Sequence, residues 1–360
     1  MTTKQYYIFR SQESAFQAAV SHLLESAMGA GCGKMVRMVF FGAPKDNSEY
    51  IEQNNIIKAC AATRCGDLLT AYVAQQPLCC SLAAEVSYVA EDVQVEFKGD
   101  YALLDGCEIL SAAIQSDPML DIGGQAEQIF NRMSEILAAE DIAVDDIVRQ
   151  WNYIERITAL SPQGQHYQLF NDARSAFYAG CKWSNGYPAA TGIGAQWGGV
   201  VVIFDALRNS SAYSRPVDNP LQISAHSYSQ KVLINSIEKH KTTPKFERAR
   251  YMCGHKPMVY ISGTAAIRGE ESCREGLAEQ ARLTMENIDH LTGVENLKQS
   301  GVADAQRLEY CAMRAYLKDN KSWSEAKAWL KESYPAVDML YLWADICREE
   351  LLIEIEGFAV

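Results

Sequence analysis

The chain has 360 residues and a net charge of -12, with 48% hydrophobic and 22% charged side chains. That balance describes a folded α/β chain of about two domains without a long disordered tract. An acidic excess argues against nucleic acid as a partner, which needs cations to displace counterions from phosphates, yet leaves room for a small anion at a local arginine cluster.

The opening stretch MTTKQYYIFRSQES lacks the apolar core that follows a basic start in a leader peptide. No stretch reaches the roughly 18 apolar residues of a membrane span, so no membrane partner is expected. The 11 cysteines without a leader point to reduced thiols in the cytoplasm. No CxxC, HxxxH or HExxH spacing occurs, and the expectation is no metal and no cofactor. Next comes GAGCGKM (Gly29 to Met35), a superficial phosphate loop. Met35 stands where that motif needs Ser or Thr and the glycine spacing differs, so it reads as a turn before the strand KMVRMVFFG.

A repeat organises the rest. GQAEQIFNRMSEI (Gly124 to Ile136) matches GLAEQARLTMENI (Gly276 to Ile288) without a gap, both with helical apolar spacing. Each is followed by a strand (DDIVRQWNYIERITAL; AQRLEYCAMRAYLKD), a helix (QHYQLFNDARSAFYAG; SWSEAKAWLKESYP) and closing strands (GGVVVIFDAL; MLYLWADI with ELLIEIEGFAV). PMVYISGTAAI opens the second copy. The fold class is therefore α/β (α+β): two related modules, each a mixed sheet with helices packed on one face. RNSSAYSRPVDNP reads as the linker, giving residues 1–212, with an N-terminal extension that the repeat does not cover, and residues 213–360.

Several residues are candidates for chemistry. Arg174 in FNDARSAFY flanks the apolar stripe of a helix, where a snorkelling surface role is the commoner one. Arg248 and Arg250 in KFERAR offer planar forks for a carboxylate, or belong to a solvated charged stretch. Gly263, in MVYISGTAAIRGEE, lets backbone approach either a ligand or a neighbouring strand. Near the end, Leu351, Ile353 and Ile355 alternate with Leu352, Glu354 and Glu356, which sets two carboxylates on one face of a strand. A tight turn at CREE would let Cys347 and Glu354 face one cavity.

VYISGTAAIRGEE, EQARLTMENI and the final EIEG resemble the YjgF-like (reactive-intermediate deaminase) family, small trimeric barrels that bind carboxylates in subunit clefts. That family's arginine before the penultimate strand has no counterpart in VDMLYL. A closer resemblance, over roughly residues 145 to 360, is to the chorismatase family. It runs in order through VRQWNYIERI, HYQLFNDARSAF, PAATGIG, DNPLQISAHSY, PKFERA, SGTAAIRGE and ADICREELLIEIEG. The resemblance implies release of pyruvate from chorismate, with Glu354 as the acid that protonates the enol ether on carbon. Such a carboxyl must be kept protonated by burial. Glu356 is expected to lie further out.

By the same resemblance, Gly263 and Cys347 match the branch that aromatises the ring to 3-hydroxybenzoate. Four family arginines are replaced here, by His166, Gln168, Leu221 and Ser227. Arg174, Arg248 and Arg314, with Tyr153 and Tyr228, are left to hold the substrate's carboxylates. The chain is expected to act as a monomer or a homotrimer. The alternatives are another YjgF-like enzyme acting on an enamine, imine or enol carboxylate, and a non-catalytic protein that binds a small carboxylate.

Overall fold

The computed structural model describes residues 2–227, 229, 242–254 and 256–360. Both repeat copies form the expected mixed sheets with helices on one face. In the second unit the strand Ile109–Gln115 leads to helix Ile122–Ala139, strand Ile147–Glu155, helix His166–Tyr178, then strands Ala189–Ala195 and Val200–Leu207. In the third, strand Met258–Ala265 leads to helix Leu277–Thr292, strand Tyr310–Leu317, helix Trp323–Ser333, then strands Asp338–Trp343 and Ile353–Ala359. The N-terminal extension repeats this order as a first unit: Gln5–Ser11, helix Phe16–Gly29, Lys34–Phe41, helix Asn47–Cys65, Leu69–Val73 and Leu82–Val89. In all three the last strand runs antiparallel between the first two, and the third strand pairs parallel with the second.

Side-chain alternation explains why three sheets share one interior. Along the second strand of each unit one parity faces that unit's helices and the other faces the molecular centre. Met38 and Phe40 pack under the first helices while Val39 and Phe41 point inward. Met313, Ala315 and Leu317 pack under the third unit's helices while Ala312 and Tyr316 point inward. Trp151 and Tyr153 join the same central cluster from the second unit. The helices meet the sheets through periodic apolar faces, as in Ile122, Ala126, Ile129, Met133 and Ile136, started by an Asp121 carboxylate that accepts from the Gly124 amide at 2.8 Å.

The centre is not purely apolar. Each second strand also carries a buried arginine: Arg37, Arg149 and Arg314. Each last strand carries a buried carboxylate: Glu85, Asp205 and Glu356. The pairs run between units in a closed circuit. Arg37 of the first unit meets Asp205 of the second at 2.8 Å. Arg149 of the second bonds Glu356 of the third, and Arg314 Nε of the third lies 3.4 Å from Glu85 of the first. This last contact lacks hydrogen-bond alignment. Arg314 also lies 3.0 Å from Glu356, and its Nη1 donates to Tyr153 Oη at 2.6 Å. Trp151 sits among all three guanidinium groups, their carbons 5.0, 4.5 and 5.8 Å from its ring centroid.

Glu356 is therefore not further out along its strand. It is wholly buried in the circuit, held by Arg149, Thr191 and Tyr316. Removing one partner of a buried ion pair leaves an uncompensated charge, at a cost of about 3–5 kcal/mol. Glu356→Ala should lower the free energy of unfolding by about that amount in urea titration, whereas Glu279→Ala, at an exposed helix pair with Arg282, should leave the unfolding midpoint nearly unchanged.

Candidate active site

The last strand presents Glu354 and Glu356 on one face, but the two go to different places. Glu356 enters the central circuit, while Glu354, nearer the start of the strand, reaches a cavity of about 130 Å³ between the second and third units. The helix His166–Tyr178 lines this cavity with Tyr167, Asn171 and Arg174, one face at helical spacing. Gly263 lies opposite, and the turn before the last strand adds Cys347 and Arg348.

A bulge makes room for the acid. Pairing between the third unit's first and last strands shifts register between Ile261 and Thr264. The displaced Gly263 turns its amide to Thr191 Oγ1, 3.0 Å away. A Cβ there would stand 2.1 Å from Glu354 Oε1, so the carboxyl occupies space that only a glycine leaves open.

Glu354 is 6% exposed, and among the described residues no hydrogen bond ends on its carboxyl group. Burial, followed by the negative charge of Glu356, raises its pKa from 4.5 to about 8, against the opposing pull of Arg248 and Arg149. The group is thus a neutral acid at neutral pH. Cys347 is half-buried beside it, and desolvation with the Glu354 charge pushes its thiol up to about 12, so it is a neutral thiol rather than a nucleophile.

The cations are placed on both sides of the cleft. Arg174 is 3% exposed rather than snorkelling, and its Nη2 donates to Asn171 Oδ1 at 2.6 Å while its Nε has no partner among the described residues. Arg248 donates to the Ile223 carbonyl at 2.8 Å, and Arg348 to the Glu270 carbonyl and Ser272 Oγ, both at 3.0 Å. Gln168, one of the replaced arginine positions, donates to Asp172 and Thr242 at 2.7 and 2.9 Å.

The structure thus brings Glu354, Gly263, Cys347, Arg174 and Arg248 into one cavity. Arg314 and Tyr153 are not there. Both lie on strand faces that point to the molecular centre, where each is bonded to the other, and this corrects their expected role as ligand contacts. Arg250 does not line the cavity, since its guanidinium is engaged by Ser214 Oγ and the Tyr187 carbonyl. Tyr228 lies outside the described residues. Sequence reasoning missed Asn171, Tyr167 and Arg348. The first two were available from helical spacing to Arg174, and the third from its position next to Cys347.

The raised pKa has a consequence for stability. Between about pH 4.5 and 8 the native protein holds the Glu354 proton that the unfolded chain releases, so this group's contribution falls as pH rises through that window. Glu354→Gln removes that dependence. The variant should gain on the parent protein in thermal unfolding as pH goes from 5 to 9, by up to a few kcal/mol. A constant difference across that range would show that Glu354 is ionised in the native state.

Comparisons with known proteins agree with this fold. Residues 85–206 match the family described as chorismatase FkbO/Hyg5-like, N-terminal. A "3-hydroxybenzoate synthase" of Streptomyces hygroscopicus is 30% identical over 235 residues, covering 62% of this chain and 66% of the relative. A "Chorismatase" of Streptomyces rapamycinicus is 30% identical over 222 residues, covering 59% and 63%. The matches thus span just under two thirds of these relatives' own length. A crystal structure of a chorismatase shares the fold over 100% of this chain and 99% of its own, with a TM-score of 0.74 at 18% identity. By these matches the chain is similar to chorismatases in sequence, with the family's N-terminal domain matched over residues 85–206, and it shares the fold of one of them.

Proposed function

We propose that the protein is a cofactor-independent enzyme that releases pyruvate from chorismate and forms 3-hydroxybenzoate. The observation that carries this reading is Glu354: a buried carboxyl without hydrogen-bond partners among the described residues, neutral near pH 7, inside a cleft with three guanidinium groups. An enol ether is protonated on carbon by an acid that holds its proton at working pH and delivers it in a site screened from water. Arg174, Arg248 and Arg348 hold the two carboxylates of the substrate and set its vinyl carbon against Glu354. Proton transfer leaves Glu354 as a carboxylate facing an oxocarbenium ion, an opposite charge that offsets the cost of ionising it in place. Pyruvate leaves when that ion breaks down, and aromatisation of the ring releases a proton that restores the acid.

Conversion to an aromatic acid consumes no net water, whereas keeping a diol consumes one. The small side chains at Gly263 and Cys347 and the name of the Streptomyces hygroscopicus relative support the aromatic branch. The cleft draws Glu354 from one side of the boundary near residue 212 and Arg174 from the other, so neither 1–212 nor 213–360 is active by itself on this proposal. The closed circuit of three units also supports a monomer, since contacts that YjgF-like trimers make between chains are made here within one.

With chorismate, pyruvate and 3-hydroxybenzoate should appear together, followed by a coupled assay and chromatography. Glu354→Gln should lower kcat by about 10²- to 10⁴-fold with binding retained. Activity should fall as pH rises past about 8, where the acid form is lost. A non-aromatic diol would overturn the aromatic branch, and failure to release pyruvate would overturn chorismate as substrate. Sedimentation equilibrium should give the 40.0 kDa of one chain; a mass three times larger would overturn the monomer.

A further inference from the structure

The three units meet in three clefts, each built alike from the parallel strand and second helix of one unit and the first strand of the next. The second–third cleft holds Glu354. The third–first cleft has Met339 and Tyr341 on the strand, Lys327 and Lys331 on the helix, and Arg10 on the first strand of the chain. It encloses about 320 Å³ and no carboxyl group comparable to Glu354. Its distinctive member is Cys79, which lines the cavity from the segment joining the first unit's parallel and last strands. Cys80 is its neighbour in sequence, and both thiols are half-buried and free.

We infer that Cys79, with Cys80 beside it, is a thiol-exchange site in the third–first cleft that takes small anionic disulfides. The geometry supplies each requirement. Arg10, Lys327 and Lys331 line the same cavity as Cys79, Lys327 with its ammonium 4.7 Å from the Trp323 ring centroid, and the facing acidic group, Asp338, is tied to Arg10 at 2.6 Å. Tyr334 and Tyr341 complete the polar facing groups, and both have pKa values raised by burial. The segment is fixed, because Leu78 donates to the Tyr341 carbonyl at 3.0 Å and Gln12 donates to the Cys79 carbonyl at 2.9 Å.

The two neighbouring thiols are unequal. The hydrogen bond from Cys80, with Arg10 and Lys327, lowers Cys79 to about 6, while Cys80 is raised by the same bond and by burial. Cys79 is thus the thiol that ionises first, and Cys80 keeps its proton. Other cysteines with resolved shifts, Cys65, Cys181, Cys253, Cys311 and Cys347, are all raised.

In the exchange, the Cys79 thiolate attacks one sulfur of the disulfide R–S–S–R. A new S–S bond forms from Cys79 to that sulfur as the reagent's S–S bond breaks, both R–S bonds stay intact, and R–S⁻ leaves and takes up a proton. The products are a Cys79–S–S–R mixed disulfide and one thiol R–SH, so the disulfide reagent supplies the oxidation. Cys80, held as a neutral thiol, resolves this adduct slowly: its sulfur bonds to the Cys79 sulfur, the bond between the Cys79 sulfur and S–R breaks, and the Cys80 proton ends on the second R–SH.

The test uses the full reduced chain and two probes, anionic oxidised glutathione and neutral bis(2-hydroxyethyl) disulfide, with adducts mapped to peptides by mass spectrometry. At pH 6.5 oxidised glutathione should modify Cys79 at least tenfold faster than the other cysteines. Cys79→Ser should remove that fast adduct. Lys327→Gln with Lys331→Gln should lower the preference for the anionic over the neutral probe several-fold, with the circular dichroism spectrum unchanged. Adducts spread evenly over several cysteines would overturn the site, and a probe preference unmoved by the lysine changes would overturn its selection for anions.

Discussion

Everything in this molecule is arranged around a closed circuit of buried charges. Three arginines and three carboxylates, one of each per unit, are exchanged head to tail around Trp151. An apolar centre could bring three sheets together at almost any rotation, because hydrophobic contact has no direction. Guanidinium–carboxylate pairs have direction, and each is satisfied only when the next unit stands at the right angle and height. The circuit thus sets the geometry of every cleft between units, including the one that holds Glu354. Its links are unequal: Asp205 is held by Arg37, Lys4, Ser111 and nearby tyrosines, with its pKa driven far down by these cations, while Glu85 is held loosely and burial raises its pKa.

The last strand links this framework to chemistry. Glu356 locks into the circuit, and the same strand face then delivers Glu354 to the cleft. The two carboxylates look alike in sequence, but their surroundings divide them. One is bonded by cations and hydroxyl donors, while the other accepts no hydrogen bond among the described residues and stands against a glycine bulge. Part of what keeps Glu354 protonated is the negative charge of Glu356 close by, so the framework also contributes to the acid's character.

Much of this was legible from sequence because the relevant patterns are local. The gapless helix repeat gave away two units, and the alternation from Leu351 onward placed Glu354 on a face distinct from Ile353 and Ile355. The first unit escaped because its helix Asn47–Cys65 has little apolar periodicity, with Asn54 among its few buried residues, so no motif aligned it with the others. Arg314 and Tyr153 were misplaced for a different reason. An arginine on an apolar strand says that the side chain is buried and paired, but not whether the partner is a ligand or another part of the fold. Arg174 shows the reverse error of expectation, since helical spacing put it at the edge of the stripe and the neighbouring unit then covered it.

Tandem units in one chain also differ from identical subunits in what they permit. Three copies of one polypeptide must carry the same residue in every cleft, so an acid acquired in one is acquired in all. Here each cleft answers to its own stretch of sequence. One has a glycine and a glutamate, another has Cys79 among lysines, and the first–second cleft, about 580 Å³, is bounded by Thr70, Ala113 and Gln115. Covalent fusion has turned a repeated position into three independently mutable ones. A substitution that would be tripled in a symmetric oligomer is confined in this chain to one interface out of three.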